Sequence, residues 1–340
     1  MGKEHEAAVA ELLDQYKFPA PWRAVLEESG MNNTTRMVYA GADKYIMRIY
    51  NNHRDPDIVR LEHHVLHELQ SAELPYLVPR PVPNERLETV TMTEDGKLGA
   101  LYHYIEGERP TVHNNHHVEE LGRAAGLLIL ALRQSAIAER PLYKPYYEFE
   151  ETHGAMTDEH IIVLTERSPV LRGRAGELET MAGLRRRLRE LRPLFSGLPQ
   201  QWIHGDIGFT NALARNESIT GLLDFEFCTK DAAAMELAVV LADFPDDAED
   251  LAMERMRLFC RGFGLAVRLS EQELEALPEL IKLRMMDVYL HFAGRYAEGL
   301  DSPEIWERQI ARAAFVCEWI DRRHDKLDRL FAECLQQQVR

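Results

Sequence analysis

The sequence predicts an α+β protein: a small antiparallel β-rich part followed by a larger, mainly helical part. Two observations carry this. Over residues 1–105 the apolar residues come in short runs broken by Gly, Pro, Asn and Asp, as in strands and turns. Beyond Gly107 they recur at helical spacing over long stretches. The expected division is therefore 1–105 and 106–340.

Residues 4–17 carry Ala8, Leu12, Leu13 and Tyr16 at helical spacing and read as a short amphipathic helix. Trp22 to Glu28 alternates like a strand, and 30–35 is a turn of small and polar residues. Arg36 to Ala40 and Lys44 to Tyr50 form a hairpin around Gly41-Ala42-Asp43. Asp55 and Pro56 suit the N-cap and first turn of a helix whose buried face holds Val59, Val65, Leu66 and Leu69. Pro75, Pro79, Pro81 and Pro83 mark an extended connector. Leu87 to Thr93 and Leu98 to Ile105 complete a set of about five strands. Val118 to Ser135 and Leu178 to Leu194 are helices, the second with a run of arginines expected on a solvated face. Residues 141–174 show no clear period. A helix over Ala232 to Leu241 and two or three long ones over 246–337 finish the chain.

Composition narrows the classes. The chain of 340 residues is 45% hydrophobic and 28% charged, ordinary for a globular protein with a sizeable core. Its net charge of −16 speaks against nucleic acid, which demands clustered Lys and Arg. Cys228, Cys260, Cys317 and Cys334 show no metal-ligand spacing and read as thiols in a reducing cytoplasm. The polar start and the absence of an 18-residue apolar run predict neither a signal peptide nor a membrane span.

One stretch carries the chemistry. His204-Gly205-Asp206-Ile207-Gly208-Phe209-Thr210-Asn211 is followed by Leu222-Leu223-Asp224-Phe225-Glu226. Trp202-Ile203, Ala212 to Ala214 and Ile219 to Leu223 read as strands, with a turn at 216–218. Asp206 and Asn211 then flank a loop, and Asp224 ends the strand returning beside it. Two carboxylates and an amide are hard oxygen donors, suited to Mg²⁺ that takes its other ligands from water and substrate phosphates.

This pattern resembles the catalytic core of the aminoglycoside phosphotransferase and choline kinase superfamily, with its homoserine-kinase-like branch, which has a protein-kinase-like fold. Gly205 stands where protein kinases have Arg in His-Arg-Asp, and Asp224-Phe225-Glu226 stands for Asp-Phe-Gly, as in the small-molecule branch. The resemblance spans roughly residues 20–300 and is sharpest at this stretch. It implies a two-lobed protein whose β-rich lobe binds ATP, the co-substrate, and whose helical lobe holds catalytic and acceptor groups.

By that resemblance Asp206 is the catalytic base, or orients the acceptor hydroxyl, and Asn211 and Asp224 are the Mg²⁺ ligands, for one ion or two. His204 has a structural part, holding the loop. Glu226, if on a strand, faces the same side as Asp224 and meets a second metal, a substrate amine or a salt-bridge partner. Arg48 takes the place of the usual nucleotide-anchoring Lys, paired with Glu62 on the next helix. Asn33 and Thr34 lie in the turn expected to cover phosphate. The hinge falls at 102–107, where adenine would meet the carbonyl of His103 and the N–H of Ile105.

Two other sets stand out. His63 and His67 share an i, i+4 spacing that permits a metal pair, yet no third ligand is evident. Asp287, His291 and Arg295 share one face of an otherwise apolar helix and suit either an acceptor pocket, within reach of Tyr146, Tyr147, Phe149 and Glu150, or a surface ladder of ion pairs. The resulting expectation is an ATP-dependent kinase for a hydroxyl of a small metabolite, such as homoserine. Choline, ethanolamine or an aminoglycoside is the alternative acceptor; a non-catalytic nucleotide-binding regulator is the alternative of another class. A homodimer is compatible with the sequence.

Overall fold

The computed structural model describes residues 2–26, 33–51 and 54–336. In chain order the elements are α1 (Gly2–Leu13), β1 (Trp22–Leu26), β2 (Asn33–Ala40), β3 (Asp43–Tyr50), α2 (Pro56–Gln70), β4 (Thr91–Met92), β5 (Leu98–His103) and α3 (Asn115–Gln134). There follow α4 (Phe149–Thr152), α5 (Asp158–Glu166), α6 (Pro169–Arg172), α7 (Ala175–Gly197), β6 (Gln200–Ile203), β7 (Ala212–Arg215), β8 (Ser218–Leu222) and β9 (Thr229–Ala232). The chain ends with α8 (Ala233–Leu241), α9 (Glu249–Gly264), α10 (Glu271–Ala297), α11 (Pro303–Arg322) and α12 (His324–Leu335).

These elements gather into two compact units that are not one cut of the chain. The first takes Met1–Arg109, Ser135–Leu142 and Asn211–Glu226; the second takes the rest. In the first unit five antiparallel strands run in the order β1-β2-β3-β5-β4. Alternation sends Met47 and Ile49 of β3 to the core with Val38 and Leu101, against Leu12, Leu13 and Tyr16 of α1 and its end. Asp55 caps α2 by accepting from the Asp57 N–H at 2.9 Å, as its place before Pro56 predicts. The expected strand over 87–93 shrinks to Thr91–Met92. The side chain of Asn84 accepts from the N–H groups of Arg86 and Glu88, and the turn this makes throws Leu87 into φ 65°, outside any ladder.

The hairpin β7–β8 belongs to this unit because its edges are tied there. Leu77 donates to the Thr220 carbonyl and accepts from Leu222, while Glu108 exchanges both bonds with Ala214. Trp202-Ile203 does not join that hairpin. Its strand, β6, pairs with β9 in the second unit.

The second unit is helical. Its close packing is set by glycine: a Cβ on Gly122 of α3 would fall 2.1 Å from the Phe259 carbonyl, and one on Gly262 of α9 would fall 2.0 Å from that of Glu119. Among the described residues, 246–336 form four helices rather than two or three, broken at 265–270, 298–302 and Arg323. The 141–174 stretch supplies short helices and a buried clamp. Arg185 of α7, only 3% exposed, binds Glu150 at 2.7 and 2.9 Å and Asp158 at 3.0 Å. One member of the arginine run thus lies inside rather than on a solvated face. No helix among the described residues is long and apolar enough to cross a membrane.

Candidate active site

The first unit builds a cation-centred network. Arg48, between the buried Met47 and Ile49, turns its fork onto three carboxylates: Glu62 at 3.3 Å, Asp224 at 2.5 Å and Glu226 at 3.0 Å. Asn33, the first residue of β2, donates to Glu226 at 3.1 Å, and Thr34 accepts from Asn51 at 3.1 Å. Both are strand residues; the preceding positions of the expected phosphate-covering turn, 30–32, lie outside the described residues. Glu62 is held by a buried relay in which Tyr50 donates to it at 3.0 Å and shares a 2.7 Å bond with Tyr102. His63 bonds Tyr102 and Thr89, each at 2.8 Å, which excludes it as half of a surface metal pair with His67.

Burial pushes the Glu62 carboxyl up to about 7, and Asp224 and Glu226 add to that, against the pull of Arg48. His63 is pushed down to about 3, by burial and then by the Arg48 charge. Burial also depresses the Arg48 guanidinium, but its carboxylate neighbours, Asp224 first, outweigh this and hold it charged.

Asp224 sits at φ 66°, a left-handed conformation that Asp tolerates better than most residues. It lies two residues past the end of β8, and the Leu223 N–H between them donates to the Asn211 carbonyl at 2.8 Å, so Asn211 and Asp224 lie at the same end of the hairpin. Glu226 is on a 3-10 turn, Phe225–Phe227, rather than on a strand, and it is buried. His103 ends β5 opposite Tyr45, and Ile105 follows it with its side chain in the core.

A divalent cation fits the donor chemistry here: a carboxylate and an amide oxygen, with Asp224 partly open to solvent. Among the described residues no three His, Cys, Asp or Glu side chains form a cage. Such an ion would therefore need Asn211, water and phosphate oxygens as well.

The second unit fixes Asp206. The loop after β6 is anchored from below by Glu236 of α8, fully buried, which accepts from the His204 N–H at 2.5 Å and the Gly205 N–H at 3.2 Å. His204 is also buried, and its Nδ1 accepts from the Asp206 N–H at 3.1 Å, so the imidazole braces the loop. Gly205 has φ 80°, and a Cβ there would lie 3.1 Å from the Phe227 carbonyl. A side chain at that position is thus both strained and crowded. The carboxylate of Asp206 accepts from Arg284 of α10 at 2.7 Å and remains partly exposed. Arg284 also donates to the Tyr146 hydroxyl at 2.8 Å, and that hydroxyl donates to the Gly205 carbonyl at 2.5 Å.

Beside these stands Asp287, which accepts from His153 at 2.8 Å and lies 3.5 Å from Arg284. Its carboxyl is held low: the bond and charge of His153, with Arg284, outweigh burial. His291, on the same stripe, is pushed down by burial. Arg295 is spent on Asp301, with bonds of 2.6 and 3.0 Å across the end of α10. Glu150 is likewise engaged by Arg185 and Arg189.

Reading the sequence missed Arg284, Glu236 and Tyr146's role. Arg284 lies three residues before Asp287, so the helical spacing that picked out 287, 291 and 295 extends to it. No signal marks Glu236, an acid inside an apolar run.

A five-stranded antiparallel unit, a helical unit, and acid-bearing loops at 204–211 and 224–226 are the marks of a protein-kinase-like phosphotransferase. The chain belongs to the Phosphotransferase enzyme family (APH), whose model matches residues 26–268. A homoserine kinase of Bradyrhizobium sp. (strain ORS 278) is 26% identical over 255 residues, 74% of each chain. The solved structure of the amicoumacin kinase hAmiN with AMP-PNP, Ca2+ and Ami superposes with TM-score 0.68 at 19% identity, covering 95% of this chain and 96% of that one. A microcompartment-associated aminopropanol kinase superposes with TM-score 0.67 at 17% identity, covering 94% and 98%. The chain is thus a small-molecule phosphotransferase of this family.

Proposed function

We propose that the protein transfers the γ-phosphoryl group of ATP to a hydroxyl of a small amine-bearing metabolite, homoserine or a similar amino alcohol, in the cytoplasm. The carrying observation is Asp206. Its loop is fixed by Glu236 and His204, while its carboxylate stays partly exposed. Phosphoryl transfer needs little covalent help but does need an aligned acceptor oxygen. Asp206 accepts the acceptor's proton as its oxygen bonds to the γ-phosphorus and the bond to the β-phosphate oxygen breaks, leaving ADP. Arg48, positioned by Glu62, anchors the nucleotide's phosphates, and the main chain at His103 and Ile105 receives the adenine. Asn211 and Asp224 hold Mg²⁺, which when bound supplies charge neutralisation for the triphosphate. Similarity to homoserine kinases and to an aminopropanol kinase supports an acceptor with both an amine and a hydroxyl.

The test is ATP turnover with Mg²⁺ across hydroxylated amines, comparing the native chain with Asp206→Asn. Transfer to at least one acceptor, lost in the variant, is the expected result. Equal and near-zero transfer in both would leave a nucleotide-binding regulator as the better account.

A further inference from the structure

The catalytic loop is held from below by Glu236 and from the side by a segment with no marked period in the sequence. That segment, 143–148, is tied to β9, where alternation sets Thr229 and Asp231 on one face. Thr229 donates to the Tyr143 carbonyl at 2.6 Å, and the buried Asp231 accepts from the Tyr146 N–H at 2.5 Å. Since β9 pairs with β6, the strand that runs into the catalytic loop, the Tyr146 side chain reaches that loop from a fixed base.

The Tyr146 hydroxyl has one proton to give, and burial holds that proton on it well above the usual phenol range. The proton goes to the Gly205 carbonyl at 2.5 Å. A lone pair then accepts from Nη1 of Arg284 at 2.8 Å, while Nη2 of the same fork holds Asp206 at 2.7 Å. Nη1 has a rival partner, because a carboxylate oxygen of Asp287 lies 3.5 Å from it. Asp243 adds a further pull of the same sign. Charge attraction has little preferred direction, so these acids alone would not set the plane of the guanidinium. A hydrogen bond to a hydroxyl does have direction. With Nη1 kept on Tyr146, the rigid fork turns Nη2 onto Asp206.

We propose that Tyr146 is a positioning residue for phosphoryl transfer: its hydroxyl holds Arg284 off Asp287, and the fork so oriented aligns the Asp206 carboxylate for the acceptor hydroxyl, a role that rests on the reading of Asp206 as the base. Loss of that one oxygen lets Nη1 swing to Asp287 and draws Nη2 off Asp206.

The experiment measures kcat at saturating acceptor and KM for both substrates, with L-homoserine and 3-aminopropan-1-ol as acceptor probes, in the native protein, Tyr146→Phe, Asp287→Asn and the double variant. In Y146F kcat should fall on the order of 10- to 100-fold, the cost of a misaligned reacting group. KM for ATP should stay within about threefold. Rescue separates positioning from plain structural support. With residue 287 uncharged, Nη1 loses its nearest rival, so D287N should raise kcat in the Y146F background and not in the native one. Native kcat in Y146F, or the same effect of D287N in both backgrounds, overturns this inference and leaves the kinase reading standing. Should Y146F not fold, Arg284→Lys takes its place: the charge stays and the fork goes, so kcat should fall by a similar factor, and a native kcat overturns the inference. Transfer by the native protein to neither probe overturns both readings.

Discussion

At the scale of single residues, the chemistry depends on charges held where they would not otherwise stay. Asp206 is presented by a loop whose N–H groups are satisfied by a buried carboxyl group rather than by water. Asp206→Ala should lower kcat by about 1,000-fold or more while nucleotide affinity changes little, since proton acceptance and hydroxyl alignment are both lost. Steady-state kinetics paired with a nucleotide titration check this. Asp224→Ala removes the proposed hard-cation ligand and one partner of Arg48. Mg²⁺-dependent nucleotide affinity should fall tenfold or more, with metal-free nucleotide binding less affected. Calorimetric titration with and without EDTA would contradict the assignment if the metal-dependent part survived intact. Arg48 was singled out from the sequence because it stands where the resembling family has its nucleotide-anchoring Lys. Its simultaneous grip on Glu62, Asp224 and Glu226 was not, because the last two lie more than 170 residues away in sequence.

At the scale of elements, α8 supports the catalytic loop through one acid. Burial raises the Glu236 carboxyl to about 8, against the lowering effect of the His204 and Gly205 N–H bonds. Between about pH 4.5 and 8 the folded chain therefore binds a proton there that the unfolded chain does not. Stability from this group is full below pH 4.5 and falls as pH rises through the folded value. Glu236→Gln keeps an acceptor oxygen for the loop but cannot ionise. It should flatten the fall of Tm across that window by several degrees, which a pH series of thermal melts would reveal. An unchanged slope would mean that Glu236 does not hold a proton in the native state. Elements were mostly legible where local rules govern: the α2 cap at Asp55, the β2–β3 hairpin and the helices α3 and α7. They were illegible where a side chain made its own turn, as Asn84 does, or where helix ends broke a continuous apolar pattern, as after Gly264 and Ala297.

At the scale of the whole molecule, net charge is the dominant sequence-level quantity. A net charge of −16 must repel itself in a folded chain more than in an expanded one. Raising salt from about 0.01 M to 0.15 M shortens the screening length from about 30 to 8 Å. Tm should therefore rise by a few degrees at fixed pH, and a fall would show that surface ion pairs such as Arg261–Glu119 outweigh the general repulsion.

The sequence alone determined the class of fold, because strand and helix periodicities are local, and it brought Asp206, Asn211 and Asp224 forward as candidates, because a spaced set of hard oxygen donors is visible in one dimension. Only the tertiary structure decided which carboxylates share Arg48, which acid braces the catalytic loop, and that Arg284 stands beside Asp206. Those choices rest on contacts between residues dozens to nearly two hundred positions apart. Burial and charge act through distance in space, which spacing along a chain does not encode.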